Sequence, residues 1–212
     1  MIDLILPGER TSYAGPLMQM YHDRKRVFVD ELGWQLQSPG SWLELDDYDN
    51  EAAVYLMARD GETGDHRGSV RLLPTTGPHL MSGVFPDLCV DGLIRSPSCW
   101  EISRLVASVD GKTGTRLLRV HRLLALALVE FALLNDIDRY VLVAESQRVP
   151  ALLSMGWQVT PLSLPTPCDG QMIEALCIHV GPDTLDAMRA RLGRDADVLT
   201  GAFAGAPTAR AA

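Results

Sequence analysis

An acidic and aromatic segment, residues 42–49, is the first part of the chain whose residue types could do chemistry. In an extended backbone, alternate side chains face the same side, so Glu44, Asp46 and Tyr48 could project together. Such a group could bind a cation or accept a proton. A solvated acidic loop is the alternative that the spacing leaves open.

A second segment, residues 100–104, is predicted to be a strand that carries its own ionic residues. Alternation predicts that Glu101 and Ser103 face one side of this strand and Arg104 the other. Together, the two segments would form an acidic cluster beside an arginine. An edge strand with an ordinary surface ion pair is the alternative in this case.

The composition argues against several classes of function. A net charge of −8 and a pI near 5.0 disfavour nucleic-acid binding, which needs a basic surface. The four cysteines and five histidines show no metal-binding spacing, so we expect no metal site and no disulfide framework. The chain starts without the features of a signal peptide and has no apolar run long enough to span a membrane, so we expect a cytoplasmic protein that does not bind membranes.

Helices and strands alternate along the chain and must position the two segments. Helical spacing runs from Leu17 to Glu31 and stops at Gly33, and a long loop follows to Asp49. Strands are predicted at residues 2–6, 52–59, 68–73, 100–107, 140–144, 157–164 and 172–180. Further helices are predicted at residues 113–135, 149–155 and 183–192.

The chain shows no internal repeat and no linker, so residues 1–194 are predicted to form a single domain. Residues 195–212 are rich in Ala, Gly, Thr and Pro and are predicted to be a flexible tail.

The loop at residues 109–115 contains Gly111-Lys112-Thr113, but a P-loop would need glycine where Val106 stands. Because this loop precedes a predicted helix, it could bind an anion or be a simple turn.

These features belong to a series of landmarks that resembles the LuxI-type autoinducer synthases, the acyl-homoserine-lactone synthases of quorum sensing. The landmarks follow the family's order through the first half of the chain: Arg24, Phe28, Gly33, Trp34, Glu44, Asp46, Tyr48, Asp49, residues 71–75, Phe85, Trp100, Glu101, Ser103 and Arg104. The resemblance implies an α/β fold, a three-layer α/β/α sandwich. Its mixed sheet would be GNAT-like, with a V-shaped cleft between two splayed strands.

The resemblance also implies an acyltransferase that acylates the amine of S-adenosylmethionine from an acyl thioester. The substrate's carboxylate then displaces methylthioadenosine and closes the lactone. S-adenosylmethionine is therefore a substrate, and no cofactor is expected. The side chains implied to bind it are those of Arg24, Phe28, Trp34, Asp46, Asp49, Arg71 and Arg104.

The amine must lose a proton before it attacks, because an α-amino group is largely protonated at neutral pH. We expect Glu101 to accept this proton, directly or through water, with Glu44 as the second candidate. Ser103 is the third residue expected at the catalytic centre. Backbone N–H groups of residues 103–105 are candidates to stabilise the oxyanion.

The acyl group is expected to lack a 3-oxo substituent. Leu142 occupies a position where family members that prefer 3-oxo chains often carry threonine, and its apolar side chain offers no hydrogen bond. The residues expected in the acyl pocket are Phe85, Leu105, Leu142 and Met155.

The acyl donor is expected to be either acyl-coenzyme A or acyl carrier protein. Carrier proteins are acidic and dock on basic surfaces. The segment of residues 146–157 has only one basic residue, Arg148. This favours coenzyme A, with a branched or aryl acyl group. However, Arg116, Arg119 and Arg122 could form a local basic face.

Two other functions remain open at this point. A GNAT-type N-acetyltransferase would share the implied fold, but it leaves residues 44–49 and Trp34 unexplained and would release no methylthioadenosine. A non-catalytic module that binds adenosyl compounds would keep the binding residues without turnover.

Overall fold

The computed structural model describes residues 1–34, 36, 42–107 and 114–200, with side chains of the last range described from residue 118 onward. The Gly111-Lys112-Thr113 loop, the side chain of Arg116 and residues 201–212 of the predicted tail lie outside the described residues. Within these ranges, one nine-stranded mixed sheet forms the middle layer. Its strands are β1 Ile2–Ile5, β2 Val54–Arg59, β3 His66–Pro74, β4 Cys99–Ala107, β5 Arg139–Glu145, β6 Gln158–Pro161, β7 Thr166–Cys168, β8 Gln171–His179 and β9 Leu199–Thr200.

The strand order is β6-β8-β5-β4-β3-β2-β1-β9, and β7 pairs with β8.

The first helix continues into a π-helical segment, Lys25–Glu31, and Gly33 with a φ of 70° follows it. This interrupts the single long helix that the sequence predicts. The α-helices are α1 Ala14–Arg24, α2 Leu80–Gly83, α3 Gly114–Leu134, α4 Val149–Ser154 and α5 Pro182–Leu192.

Alternation along the strands gives the sheet two apolar faces. Val54 and Leu56 of β2 pack into the core formed with α3, whereas Tyr55 and Met57 pack on the opposite face with α1. On that second face, α2 contributes Met81 to a further apolar cluster. Helices therefore cover both faces, and the predicted three-layer α/β/α sandwich is confirmed.

Strands β4 and β5 run parallel and separate after three residue pairs. Their register ends at Glu101 opposite Val141. Beyond that point β4 pairs with β3 and β5 pairs with β8. The two central strands thus splay, as the V-shaped cleft requires.

A bulge in β4 changes the direction of Arg104. The register with β3 shifts between Ser69 and Arg71, and Arg104 has a φ of 53°, in the left-handed region. Simple alternation, which predicts Arg104 on the face opposite Glu101 and Ser103, is therefore wrong. The edge-strand alternative is also excluded, because β4 lies between β3 and β5.

The C-terminal boundary differs from the prediction as well. Leu199 and Thr200 pair with β1 as β9, and Val198 is fully buried. Both oxygens of Glu130 on α3 accept hydrogen bonds from the backbone of this segment. The ordered chain therefore extends past residue 194, because a buried carboxylate and a strand partner hold residues that composition alone predicts to be flexible.

Candidate active site

A cavity of about 570 Å³ opens on the α2 side of the sheet, where β4 and β5 separate, and is called the polar cavity for the carboxylates in its otherwise largely apolar wall. Its wall combines carboxylates, aromatic rings and an arginine, which suits a ligand carrying both positive and negative charge. Residues of this wall with functional side chains are Trp34, Asp46, Tyr48, Glu101, Ser103, Arg104, Glu145 and Asp169.

A second cavity, of about 260 Å³, lies on the α3 side of the same opening. Its lining includes Ala125 and Leu128 of α3 and the buried side chains of Trp157 and Ile178. Its lining is mostly apolar, so it suits a hydrocarbon chain. The two cavities meet at the splayed strands, where both are lined by Trp34, Ile102, Ser103, Arg104, Val143, Ala144 and Glu145.

Glu101 is buried at the meeting point of β4 and β5 and lines the polar cavity. Its carboxylate accepts hydrogen bonds from the backbone N–H groups of Leu80 at 3.0 Å and Met81 at 2.6 Å. Burial raises the pKa of Glu101 to about 7, against the opposing effect of these two donors. A carboxyl group with this pKa can exchange a proton near neutral pH.

Asp46 links Arg104, which lines the polar cavity, to the buried Arg71 behind it. Its carboxylate accepts from Nη1 and Nη2 of Arg71 and, at 2.7 Å, from Nη2 of Arg104. Arg71 also donates to Ser103 Oγ at 3.1 Å. The bulge in β4 is what brings the Arg104 guanidinium into this group.

Four of the predicted residues line neither cavity: Arg24, Glu44, Asp49 and Arg71. Arg24 donates to Glu44 Oε2 and to both oxygens of Asp49, and Glu44 also pairs with Arg104. Glu44 is fully buried, so the solvated-loop alternative is wrong for this residue. Because Glu44 lines neither cavity and binds two guanidinium groups, it is poorly placed to accept a substrate proton.

Phe28 and Trp34 form a stacked aromatic pair with ring centroids 4.9 Å apart. The guanidinium of Arg104 lies 5.6 Å from the centre of the Phe28 ring. Trp34 borders both cavities, whereas Phe28 lines the apolar one. The pair thus forms a wall at the junction of the two spaces.

The predicted acyl-pocket residues divide between the cavities. Leu105, Leu142 and Met155 line the apolar cavity. Phe85 follows α2 and lines the polar cavity instead. The reason is that α2 and α3 cover opposite faces of the sheet.

Sequence reasoning missed three residues of the site. Glu145 ends β5, is buried and borders both cavities. Asp169 lines the polar cavity from the turn between β7 and β8, and His121 lines the apolar cavity from α3. The available signals were the carboxylate directly after a buried strand and the four-residue spacing of His121 from Ala125.

Comparison with known proteins agrees with this geometry. The family model for autoinducer synthases matches residues 10–188. An isovaleryl-homoserine lactone synthase from Bradyrhizobium diazoefficiens is 34% identical over 196 residues, covering 91% of this chain and 86% of the relative. The solved structure of a coenzyme A-dependent acyl-homoserine lactone synthase, BjaI, with S-adenosylmethionine and isopentyl-coenzyme A, has a TM-score of 0.85 and 33% identity. The match covers 94% of this chain and 92% of that one.

A putative N-acetyltransferase from Lactobacillus plantarum shares the fold alone, with a TM-score of 0.55, 16% identity and coverage of 85% of this chain and 99% of that one. The predicted GNAT-like fold is thereby confirmed.

In the described residues, no helix is both long and apolar enough to cross a membrane. The extent of the family match decides between the alternatives left open by the sequence: the chain belongs to the autoinducer synthase family and is an acyl-homoserine-lactone synthase, an acyltransferase.

Proposed function

We propose that this synthase holds S-adenosylmethionine in the polar cavity and the acyl group of an acyl-coenzyme A in the apolar cavity, in the cytoplasm and with no cofactor besides its substrates. The observation that carries the proposal is the shared border of the two cavities at Ser103, Arg104 and Glu145. An amine in one cavity and a thioester carbon at the mouth of the other would meet there.

The polar cavity matches the charges of S-adenosylmethionine. Its sulfonium and ammonium groups are cations, and Asp46, Glu101 and Asp169 supply carboxylates. Trp34 supplies an aromatic face, which attracts a cation by about 0.5 to 2 kcal/mol. Arg104, already balanced by Glu44 and Asp46, is a candidate to orient the substrate carboxylate.

Glu101 is proposed as the base that prepares the amine. An α-amino group has a pKa of about 7.7 to 8.0, and the pKa of Glu101 is raised to about 7. The two values are close, so proton transfer between the groups, directly or through one water, costs little. General-base help of this kind contributes about 10² to 10⁴ in rate.

In the first step the free amine attacks the thioester carbonyl, the C–N bond forms, and coenzyme A leaves as the thiolate, which takes up a proton. Beyond Glu101, β4 has no pairing with β5, so backbone groups at residues 103–105 are available to the oxyanion. In the second step a carboxylate oxygen attacks the γ-carbon and the bond to the sulfonium sulfur breaks. This step joins opposite charges, so a site shielded from water favours it.

Coenzyme A with a branched or aryl acyl group is the proposed donor in preference to acyl carrier protein. The relative from Bradyrhizobium is named for an isovaleryl product, and BjaI is described as coenzyme A-dependent. Leu142, 9% exposed, and the buried Trp157 limit the apolar cavity. An apolar wall of this kind offers a 3-oxo group no hydrogen bond, so it favours an acyl chain without one.

The test is release of methylthioadenosine and an acyl-homoserine lactone from S-adenosylmethionine with each donor in turn. We expect isovaleryl- or aryl-coenzyme A to give a higher kcat/KM than 3-oxo-acyl carrier protein. A clear preference for the carrier-protein substrate would contradict the proposed donor.

Replacing Glu101→Gln should lower kcat at least about 10²-fold while S-adenosylmethionine still binds. Unchanged turnover in this variant would show that Glu101 is not the base.

A further inference from the structure

The hydroxyl of Tyr48 occupies the space that a side chain at Gly83 would need. A Cβ atom built on Gly83 would lie 2.0 Å from Tyr48 Oη and 3.3 Å from Cζ of the same ring. Gly83 is the last residue of α2 and has no left-handed φ, so its backbone conformation does not require glycine. The requirement for glycine at this position comes from Tyr48.

Helix α2 also supplies the two backbone donors that hold Glu101. The N–H groups of Leu80 and Met81 donate to its two carboxylate oxygens. The helix is a single turn, closed by the bond from Val84 N–H to the Leu80 carbonyl at 2.8 Å. A displacement of Gly83 would therefore move the donors of Glu101 as well.

The other end of Tyr48 is fixed by the ionic group of the site. Its backbone N–H donates to Asp46 Oδ1 at 2.9 Å, and the guanidinium of Arg71 lies 5.8 Å from the centre of its ring. Burial, followed by the charges of Asp46 and Glu101, raises the pKa of Tyr48, so the phenol stays protonated. Tyr48 thus connects the Asp46 and Arg71 pair to α2.

We propose that Tyr48 is a positioning residue for Glu101, acting through its contact with Gly83 to fix α2 and the two N–H donors. The inference rests on the proposed role of Glu101 as the base. Tyr48 would then hold Glu101 in place and would not itself bind the charged groups of the substrate.

The decisive variant is Gly83→Ala. Alanine is intrinsically favoured over glycine in a helix, so without the Tyr48 contact the change would be harmless. With the contact, α2 or Tyr48 must move by more than about 1 Å, and such a misplacement lowers kcat by about 10²-fold. Weaker donation from Leu80 and Met81 would raise the pKa of Glu101, so the acid limb of the pH profile of kcat/KM should move to higher pH.

The rescue variant is Tyr48→Phe combined with Gly83→Ala, which removes the hydroxyl that clashes. We expect its kcat to exceed that of Gly83→Ala and its acid limb to return to that of the wild type, because the limb reports the donors of Glu101. Gly15→Ala is the matched control, because Gly15 also lies in a helix and a Cβ there would meet nothing within 4 Å.

Equal loss in Gly83→Ala and in the double variant would overturn the proposal, as would a Gly83→Ala enzyme with wild-type kcat and an unmoved acid limb. If Gly83→Ala alone does not fold, the double variant decides. If the acid limb of the double variant lies at the same pH as in the wild type, the proposed role of Tyr48 is supported. If that limb still lies at higher pH, the proposal is contradicted. The proposed role of Glu101 is tested separately by Glu101→Gln. It fails if the wild-type enzyme shows no acid limb, or if Glu101→Gln keeps the same limb.

Discussion

The indole N–H of Trp34 donates a hydrogen bond to Glu145 Oε1 at 3.3 Å and so joins the segment after the π-helical turn to the end of β5. Glu145 also accepts from Arg148 and Gln147. Burial alone would raise the pKa of Glu145, but the hydrogen bonds from Arg148, Gln147 and Trp34 lower it. The carboxylate therefore stays ionised, and the contact across the cleft is a charge-assisted hydrogen bond.

Replacing Trp34→Phe should weaken S-adenosylmethionine binding at least about tenfold. An aromatic ring is kept, but the indole N–H and its bond to Glu145 are lost, and a hydrogen bond to a charged group is worth about 1.5 to 3 kcal/mol. Isothermal titration of the ligand measures the change. Trp42→Phe is the matched control, because Trp42 is 74% exposed and lines neither cavity. Equal affinities for the two variants would show that Trp34 does not organise the polar cavity.

The pH dependence of kcat/KM should show a limb that rises with pH through about 7. Burial raises the pKa of Glu101 to about this value, and only the ionised carboxylate can accept a proton. Activity is therefore lost as the pH falls below 7. Steady-state rates across pH 4 to 9 test this, with Glu101→Gln expected to have low activity and to keep only the limb of the substrate amine at about 7.7 to 8.0. A wild-type limb near the ordinary carboxyl pKa of about 4.3 would contradict the assignment.

The buried ion group beneath the cavity should be essential for stability. Arg24 is fully buried and pairs with Glu44 and Asp49, so Arg24→Met removes one guanidinium from the buried group and leaves Glu44 with Arg104 and Asp49 with Arg71 as their remaining cationic partners. Breaking a buried pair from one side costs about 3 to 5 kcal/mol, measured as the free energy of unfolding in urea.

The control for Arg24→Met is Asp30→Asn, which removes the exposed ion pair between Lys25 and Asp30. An exposed pair is worth about 0 to 1 kcal/mol. A similar small loss for Arg24→Met would mean that the buried group contributes no more to stability than a surface pair.

The sequence predicts the ionic group better than it predicts its geometry. The types and order of Asp46, Arg71 and Glu101 are readable, as are the central strands, because apolar alternation and helical spacing are local signals. The position of Arg104 depends on a bulge that is visible only in the pairing of β4 with β3. The place of Glu145 in the site depends equally on tertiary structure, since it enters only because β4 and β5 splay.

The acyl preference should respond to Leu142, which lines the apolar cavity. Leu142→Thr introduces a hydroxyl that can donate to a 3-oxo group, and a single neutral hydrogen bond is worth about 0.5 to 1.5 kcal/mol. The ratio of kcat/KM for 3-oxo-acyl over unsubstituted acyl donors should rise about threefold to tenfold. Leu142→Val, which adds no polar atom, is the control. An unchanged ratio in Leu142→Thr would indicate that the acyl chain does not pass this residue.

The most direct measurement is a crystal structure of the protein with S-adenosylmethionine. We expect the ligand in the polar cavity beside Trp34 and Asp46, with its amine nitrogen within about 3.2 Å of the Glu101 carboxylate or joined to it by one water. A ligand bound with its amine remote from Glu101, or outside the space between β4 and β5, would contradict this expectation.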